Sequence, residues 1–180
     1  MTEITEEMLK TISIRGKHEI IGPLATAMNE IFPEYEINND LRIAHFIAQA
    51  AHETAGFTTL NELGGPSYFK RYDGRKDLGN THPGDGNLYH GRGIFQLTGR
   101  ANYRRYGAKL GLDLEGSPNL AAVPGVSLRV ALEYWNDHKL SPLADEDDIE
   151  AITKRINGGL NGIDDRQENL DRAKEELGIG

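Results

Sequence analysis

The segment "NNDLRIAHFIAQAAHET", residues 38–54, constrains the fold more than any other part of the chain. Asn39 and Asp40 are cap-forming residues, and apolar side chains recur at Leu41, Ala44, Ile47, Ala48 and Ala51, the spacing of one buried helical stripe. Such a stripe has to be covered by other elements, so the segment predicts a core helix with neighbours packed over it. It ends on His52, Glu53 and Thr54, with Gly56 just beyond. A packed helix that stops on a carboxylate fixes that side chain where it can be put to use.

The flanking sequence is also largely helical. Thr5 is placed to cap "EEMLKTIS", with Met8, Leu9 and Ile12 on one face, and Pro23 reads as a first-turn proline opening a helix through Phe32, which Pro33 ends. Helices resume at "ANYRRYGAKLG", closed by Gly111, and at "SLRVALEYWNDHKL", where Leu128, Ala131, Leu132 and Trp135 share a face. Two more follow: "DDIEAITKRINGG" with Ile149, Ile152 and Ile156 inward, and "DRQENLDRAKEELG" with Leu170, Ala173 and Leu177 inward.

Between Gly64 and Gly93 the helical period dissolves into a stretch rich in Gly, Pro, Asp and Asn. A stretch of that size in a compact domain is usually functional or carries short strands, and "SYFKRY" and "NLYHGR" are its candidates for a small hairpin. No repeat, low-complexity tract or composition shift marks a linker. The expectation is a mainly α (α+β) fold and a single catalytic domain over residues 1–180. Its helical core spans about 1–63 and 100–180, and a loop and β-hairpin lobe over about 64–99 flanks a substrate cleft.

A chain of 180 residues can bury an ordinary core without covalent staples. It has no cysteine, which removes disulfides, thiolate metal sites and cysteine nucleophiles together. Twenty Lys and Arg against 28 Asp and Glu give a formal net charge of −8, which disfavours nonspecific attraction to nucleic acid or anionic lipid. The acidic start "MTEITEEMLK" lacks the basic and apolar regions of an export signal, and no run approaches a membrane span. The expectation is a soluble monomer made in the cytoplasm.

Glu53 and Glu62 are nine positions apart. On one continuous helix at about 100° per residue they would face opposite ways, so they converge only if the helix breaks between them, and Gly56 offers the break. Converging carboxylates suit glycosidic cleavage, one protonating the leaving oxygen while the other activates water or attacks the sugar. The plain alternative for each is a solvated surface Glu.

Residues 91–103, "GRGIFQLTGRANY", set Gln96, Thr98 and Asn102 at spacings that line a groove with neutral donors and acceptors suited to sugar hydroxyls and acetamides. Tyr89 and Tyr103 add flat apolar faces. The segment lacks the Gly-Lys-Ser/Thr ending of a phosphate loop. His45, His52, His82, His90 and His138 form no metal-binding pair, so no metal is expected, and His52 reads as a hydrogen-bonding neighbour of the cleft. In "RINGGLNG", residues 155–162, Asn157 is either the last residue before a glycine C-cap or a cleft residue.

Together, "AHETAGF", "YHGRGIFQLTGRANY" and "RINGGLNG", in this order, resemble the family 19 glycoside hydrolases, and above all the short phage endolysins of that family, which digest peptidoglycan. "SPNLAAVPGVSLRVALEYW" resembles the family's segment between the second and third motifs, and the likeness covers roughly residues 40–170. It implies a lysozyme-like fold, with Glu53 as general acid and Thr98 helping to hold the attacking water. Gln96, Asn102 and Asn157 would contact substrate, His52, Tyr89 and Arg166 are expected among the substrate-binding residues, and Arg166 matches a late basic residue supporting the cleft. The endolysin branch implies Glu62 as the base, with Asp73, Asp77 and Asp85 as other candidates. The implied mechanism is inverting, without cofactor.

The resulting expectation is an endolysin of lysozyme type, cleaving β-1,4 bonds of peptidoglycan glycan strands between N-acetylmuramic acid and N-acetylglucosamine. It would be made in the host bacterial cytoplasm without a signal peptide, act on the cell wall after release, and carry no separate wall-binding module. Two rivals are a chitinase acting on N-acetylglucosamine polymers and a noncatalytic glycan-binding protein. Lys70, Arg71, Arg75 and Lys76 are either a basic patch that offsets the acidic charge against an anionic wall or a solvated loop.

Overall fold

The structure, a computed structural model, describes residues 1–180. Its α-helices run in the order α1 (Glu6–Ile12), α2 (His18–Ile31), α3 (Asp40–Glu53), α4 (Pro66–Phe69), α5 (Asp85–Leu88), α6 (Arg100–Leu110), α7 (Pro124–Asp137), α8 (Leu140–Asp145), α9 (Ile149–Asn157) and α10 (Ile163–Leu177), with short 3-10 turns between some of them. No helix is long and apolar enough to cross a membrane. The chain divides into two compact units, one formed by residues 1–59 with 134–180 and the other by residues 60–133. The second unit thus holds the expected loop lobe together with α6 and the first part of α7.

In the first unit α3 is the central element. The expected single stripe understates it: every residue from Ile43 to Ala51 is buried, whereas Leu41, assigned to the stripe, is only half-buried. A helix buried on all sides has to satisfy its polar members internally, and this one does so except at His45 Nδ1, which is buried without a partner. Gln49 donates to Thr153 Oγ1 on α9 at 3.1 Å, and His45 Nε2 meets Asp147 at 2.7 Å. Asn39 caps the start by accepting from the Arg42 amide at 2.9 Å, and Phe46 lies edge-on to Phe32 and Trp135. Against the cost of burial, which alone would raise it, Lys174 and His45 hold the Asp147 carboxyl below the usual range.

Around it, Thr5 caps α1 as expected, accepting from the Met8 amide at 3.1 Å. α2 differs: it begins at His18, five residues before Pro23, which sits inside the helix. Pro23 lies beyond the first four N–H positions, so it removes an intrahelical bond to the carbonyl of Glu19 and is not a free first-turn proline. The buried side chains Ile20, Ile21, Leu24, Ala25, Ala27 and Met28 hold the helix through it. Pro33 then opens a 3-10 turn over Phe32–Tyr35. In α9, Ile149 and Ile152 are buried as expected and Ile156 is half-buried.

In the second unit the expected hairpin is absent. "SYFKRY" forms α4 and a 3-10 turn over Lys70–Tyr72, "NLYHGR" begins inside α5, and β structure is confined to antiparallel bridges Asn61–Arg92 and Arg92–Leu97. Aromatic and ionic packing does the holding instead. Tyr89 and Tyr103 meet edge-on at 5.2 Å. Arg100 makes a two-pronged pair with buried Asp85 at 2.7 and 3.0 Å and also reaches Glu115, which Arg104 grips from the other side. These two guanidiniums, Arg104 foremost, hold the Glu115 carboxyl down at about 2 despite its desolvation.

Candidate active site

The two candidate carboxylates are each built into one of the units. Glu53 is the last residue of α3, and Thr54 fixes where that helix stops. The Thr54 side chain is buried, donates to the Ala50 carbonyl at 2.7 Å and accepts from the Phe57 amide at 2.9 Å, so one hydroxyl ends the helix and ties down the turn after it. Ala55, Gly56 and Phe57 all adopt left-handed backbone, with φ of 52°, 79° and 58°. For the two non-glycine residues this costs on the order of 1–2 kcal/mol each. Gly56 is the break expected between Glu53 and Glu62, and a Cβ on it would stand 2.7 Å from Ser13 Oγ. The Ser13 hydroxyl instead donates to the Gly56 carbonyl at 3.0 Å, and the Lys17 amide donates to the Phe57 carbonyl at 3.1 Å.

The side chain of Glu53 is 21% exposed, and its Oε1 accepts from Arg166 Nη2 at 2.8 Å. Arg166 is 1% exposed and fully engaged: Nη1 donates to Gln49 Oε1 and Nε to the Asn161 carbonyl at 3.2 Å. Gln49 is itself anchored on Thr153, so a continuous buried chain runs from α9 through α3 to α10 and ends on the carboxylate. Charge-assisted bonds of this kind are the stronger ones, and a planar guanidinium fixes direction as well as charge. Arg166 therefore supports Glu53, and at 1% exposure it is placed as a buried strut rather than as the substrate-binding residue expected.

The second carboxylate, Glu62, is half-buried and held at both oxygens: Tyr72 Oη donates to Oε1 at 2.7 Å and the Gly91 amide donates to Oε2 at 2.9 Å. The Glu62 amide returns a bond to the Gly91 carbonyl at 2.8 Å. Burial, and secondly the bond to Glu62, push the Tyr72 phenol up to about 12, so it stays a proton-bearing donor at neutral pH. Gly91 leaves room for this arrangement, since a Cβ there would lie 2.6 Å from Gln96 Oε1 and 3.1 Å from Glu62 Oε2. The Gln96 amide and Glu62 therefore meet over the same backbone.

From Gln96 a hydrogen-bonded series continues along the expected residues. Gln96 Nε2 donates to the Gly93 carbonyl at 2.9 Å, Thr98 Oγ1 donates to the Gln96 carbonyl at 2.9 Å, and Asn102 Nδ2 donates to the Thr98 carbonyl at 2.8 Å. Gln96 has φ of 53°, an uncommon conformation for a non-glycine residue, stabilised here by its two bonds to Gly93. In this series the Gln96 Oε1, the Asn102 Oδ1 and the lone pairs of Thr98 Oγ1 are left to accept from a ligand or a water.

Other expected site residues are placed differently. Tyr89 is 3% exposed, with its hydroxyl donating to the Glu115 carbonyl at 2.8 Å, so it is a core residue and offers no ring face to a sugar. Tyr103 is likewise buried, donating to the His90 carbonyl at 2.6 Å. His52 bonds through Nδ1 to Asp165 Oδ2 at 2.7 Å, latching the end of α3 to α10 beside Glu53. Asn157 is exposed as the last residue of α9, and Gly158 after it is the left-handed C-cap.

The alternative bases are committed elsewhere. Asp85 is buried against Arg100, Asp73 accepts from the Gly84 and Gly86 amides at 3.2 and 2.8 Å, and exposed Asp77 is paired with Arg75. The Arg75–Asp77 pair cancels part of the basic patch, and Arg71 lies 4.4 Å over the Tyr68 ring. Lys70 and Lys76 are exposed. Two residues that matter here had no sequence signal: Gln49 reads as an ordinary member of a helix, and Tyr72 as one of several loop tyrosines.

Within the first unit a half-buried carboxylate is clamped by one guanidinium, and within the second a carboxylate is aligned by a phenol and an amide beside neutral amide and hydroxyl groups; each is of a kind that acid–base chemistry uses. The glycosyl hydrolase family 19 model, described as chitinase class I, matches residues 33–149. A "Glycosyl hydrolase family 19 domain-containing protein" of Haemophilus influenzae is 34% identical, over 71% of this chain and 76% of its own length. Chitinase 6 of rice, Oryza sativa subsp. japonica, is also 34% identical, over 66% of this chain but 43% of its own. Among solved structures, chitinase C from Streptomyces griseus superposes with a TM-score of 0.79 at 21% identity, covering 98% of this chain and 94% of that one. A class IV chitinase from Zea mays gives 0.68 at 19% identity, covering 100% and 94%. At such identities the structural likeness speaks for the fold, which is the lysozyme-like one expected; the family rests on the sequence matches, and the chain belongs to glycosyl hydrolase family 19, a family of glycan-hydrolysing enzymes.

Proposed function

We propose that this protein is a peptidoglycan hydrolase of the endolysin type, which cleaves the β-1,4 bond between N-acetylmuramic acid and N-acetylglucosamine with inversion. Glu53 protonates the leaving oxygen, Glu62 takes a proton from water, and the Thr98 hydroxyl orients that water. Gln96, Asn102 and Asn157 bind the sugar's polar groups, and Arg166 positions the acid. The observation that carries the acid–base reading is the buried Gln49–Arg166–Glu53 chain, which fixes the direction of one partly exposed carboxylate through a planar guanidinium. The peptidoglycan assignment is supported by the likeness of "AHETAGF", "YHGRGIFQLTGRANY" and "RINGGLNG" to the short endolysins of the family. Host lysis, with the enzyme reaching the wall after synthesis in the cytoplasm, is part of the same proposal.

A second reading, hydrolysis of N-acetylglucosamine polymers, is favoured by the named plant relatives, which are chitinases. Incubation with purified sacculi and, separately, with chitin hexamer separates the two. Muropeptide products with a reducing N-acetylmuramic acid end, identified by mass spectrometry, support the endolysin. Cleavage of the hexamer with sacculi left intact overturns it in favour of the chitinase, and no cleavage of either overturns both.

A further inference from the structure

The second unit contains a cavity of about 660 Å³ whose lining includes Asn87, Leu88, His90, Arg92, Ser117 and Asn119. Its size falls in the range of small-molecule sites. Arg92 is its one cationic residue, and no Asp or Glu lines it, although the chain as a whole carries eight more acidic than basic residues. Arg92 is 6% exposed and has no carboxylate partner. Both of its hydrogen bonds leave from Nη1, to the Leu88 carbonyl at 2.8 Å and to the Tyr103 hydroxyl at 2.9 Å, and its Nε is buried with no partner at all.

A desolvated guanidinium with an unused edge is costly. By contrast Arg166 uses all three of its nitrogens, on Glu53, Gln49 and Asn161, and Arg100 does so on Asp85 and Glu115. The edge left unpaired on Arg92, Nε with Nη2, carries the parallel donors that match the two oxygens of a carboxylate, with Nε itself shielded from solvent. Beside it, His90 stacks on Phe69 at 4.2 Å, and burial, then the Arg92 charge, lower its pKa and keep the ring neutral at pH 7. Asn87, Ser117 and Asn119 add neutral hydrogen-bonding groups, and the exposed side chains of Leu88, Leu120 and Val123 give the mouth an apolar rim.

We propose that this cavity binds a carboxylate of the peptide stem of peptidoglycan, with the under-used guanidinium of Arg92 as the anchor and the rim of Leu88, Leu120 and Val123 against the aliphatic part of the stem. The proposal rests on the peptidoglycan reading and deepens it: neutral chitin has no group for this anchor, so the cavity would discriminate between the two polymers.

The test is a titration of the ¹⁵N-labelled full-length protein, following the Arg92 Nε–Hε signal and the backbone amides of residues 87–92 and 117–120. The probes are acetyl-L-alanyl-D-glutamate, the same peptide with both carboxylates amidated, and inorganic phosphate. Saturable shifts with the free acid alone are expected. In Asn119→Glu, which adds a negative charge to the cavity lining at an exposed position, the peptide should bind about tenfold more weakly. That variant should raise KM for sacculi and leave hydrolysis of chitin hexamer unchanged. Equal shifts with the amidated peptide, tighter binding of phosphate, absence of saturation, or unchanged affinity in Asn119→Glu each overturn the proposal. If wild-type protein digests sacculi while these signals stay still, the cavity proposal alone falls; if the signals saturate but sacculi stay intact, the endolysin reading falls and the carboxylate site stands.

Discussion

Replacing Arg166 by Met removes the guanidinium that directs Glu53 while keeping most of its aliphatic volume. Three hydrogen bonds go with it, one to the Glu53 carboxylate, one to the amide oxygen of fully buried Gln49 and one to the Asn161 carbonyl. Loss of a partner from a buried charged pair costs about 3–5 kcal/mol, and the unsatisfied Gln49 oxygen alone accounts for roughly 1–3 of that. Glu53 is 21% exposed, so water takes up part of its loss and the lower end of the range applies, about 3 kcal/mol. For a chain of this length each kcal/mol shifts Tm by about 2–4 °C, so thermal unfolding followed by circular dichroism should fall by about 6–12 °C. The fold should persist at 25 °C, where kcat should drop by about a hundredfold, with KM changed much less, because the acid has lost its direction rather than the substrate its contacts. A double-mutant cycle with Glu53→Gln isolates the pair, and a coupling of about 1–3 kcal/mol in stability is expected. Strictly additive stabilities, or an Arg166→Met enzyme with wild-type kcat, would refute the positioning role.

Tyr72→Phe removes one of the two bonds to Glu62 and should lower kcat about tenfold while shifting the pH–rate profile; an unchanged profile would show that the phenol does not act on the base. Gly91→Ala should fold normally, because its clash falls mainly on the movable ends of Gln96 and Glu62, yet lose at least tenfold in kcat/KM; full activity would contradict the close packing of those groups. His45, buried with its pKa lowered by desolvation against the opposing pull of Asp147, binds a proton more weakly folded than unfolded. Its stabilising contribution is therefore complete above about pH 6.5 and shrinks as pH falls below that value. Tm should decline from pH 7 to 5, less steeply in His45→Gln; equal slopes for the two proteins would remove His45 from the explanation.

The long elements were legible because a buried helix face repeats. α3, α6, α7, α9 and α10 carry caps and apolar spacings that survive in the fold, and the break at Gly56 follows from the need to end α3 before Glu62. Pro23 misled because a proline's local preference for a first turn was outweighed by the buried face of α2, a tertiary effect. The tyrosine-rich stretch misled in the opposite way: α4, α5 and the 3-10 turns are each about one turn long, too short for an apolar spacing to repeat. Tyr89 looked like a sugar platform because an aromatic in a glycine-rich segment carries no mark of burial, which here comes from Tyr103 and Arg100. Of the candidate site, Glu53, Gln96, Thr98 and Asn102 could be named from motifs. Their supports, Gln49 and Tyr72, could not, since a hydrogen bond spanning many residues has no signature in local spacing.

Glu53→Gln is the substitution that bears most directly on the proposed chemistry, since it keeps the shape and one acceptor for Arg166 but removes the transferable proton. Turbidity loss of a sacculus suspension, measured with wild-type and variant at equal folded concentration verified by circular dichroism, should fall by at least a thousandfold in the variant with Tm shifted by only a few degrees. A folded Glu53→Gln protein that clears sacculi at near wild-type rate would contradict proton donation by Glu53 and remove the reaction built on it.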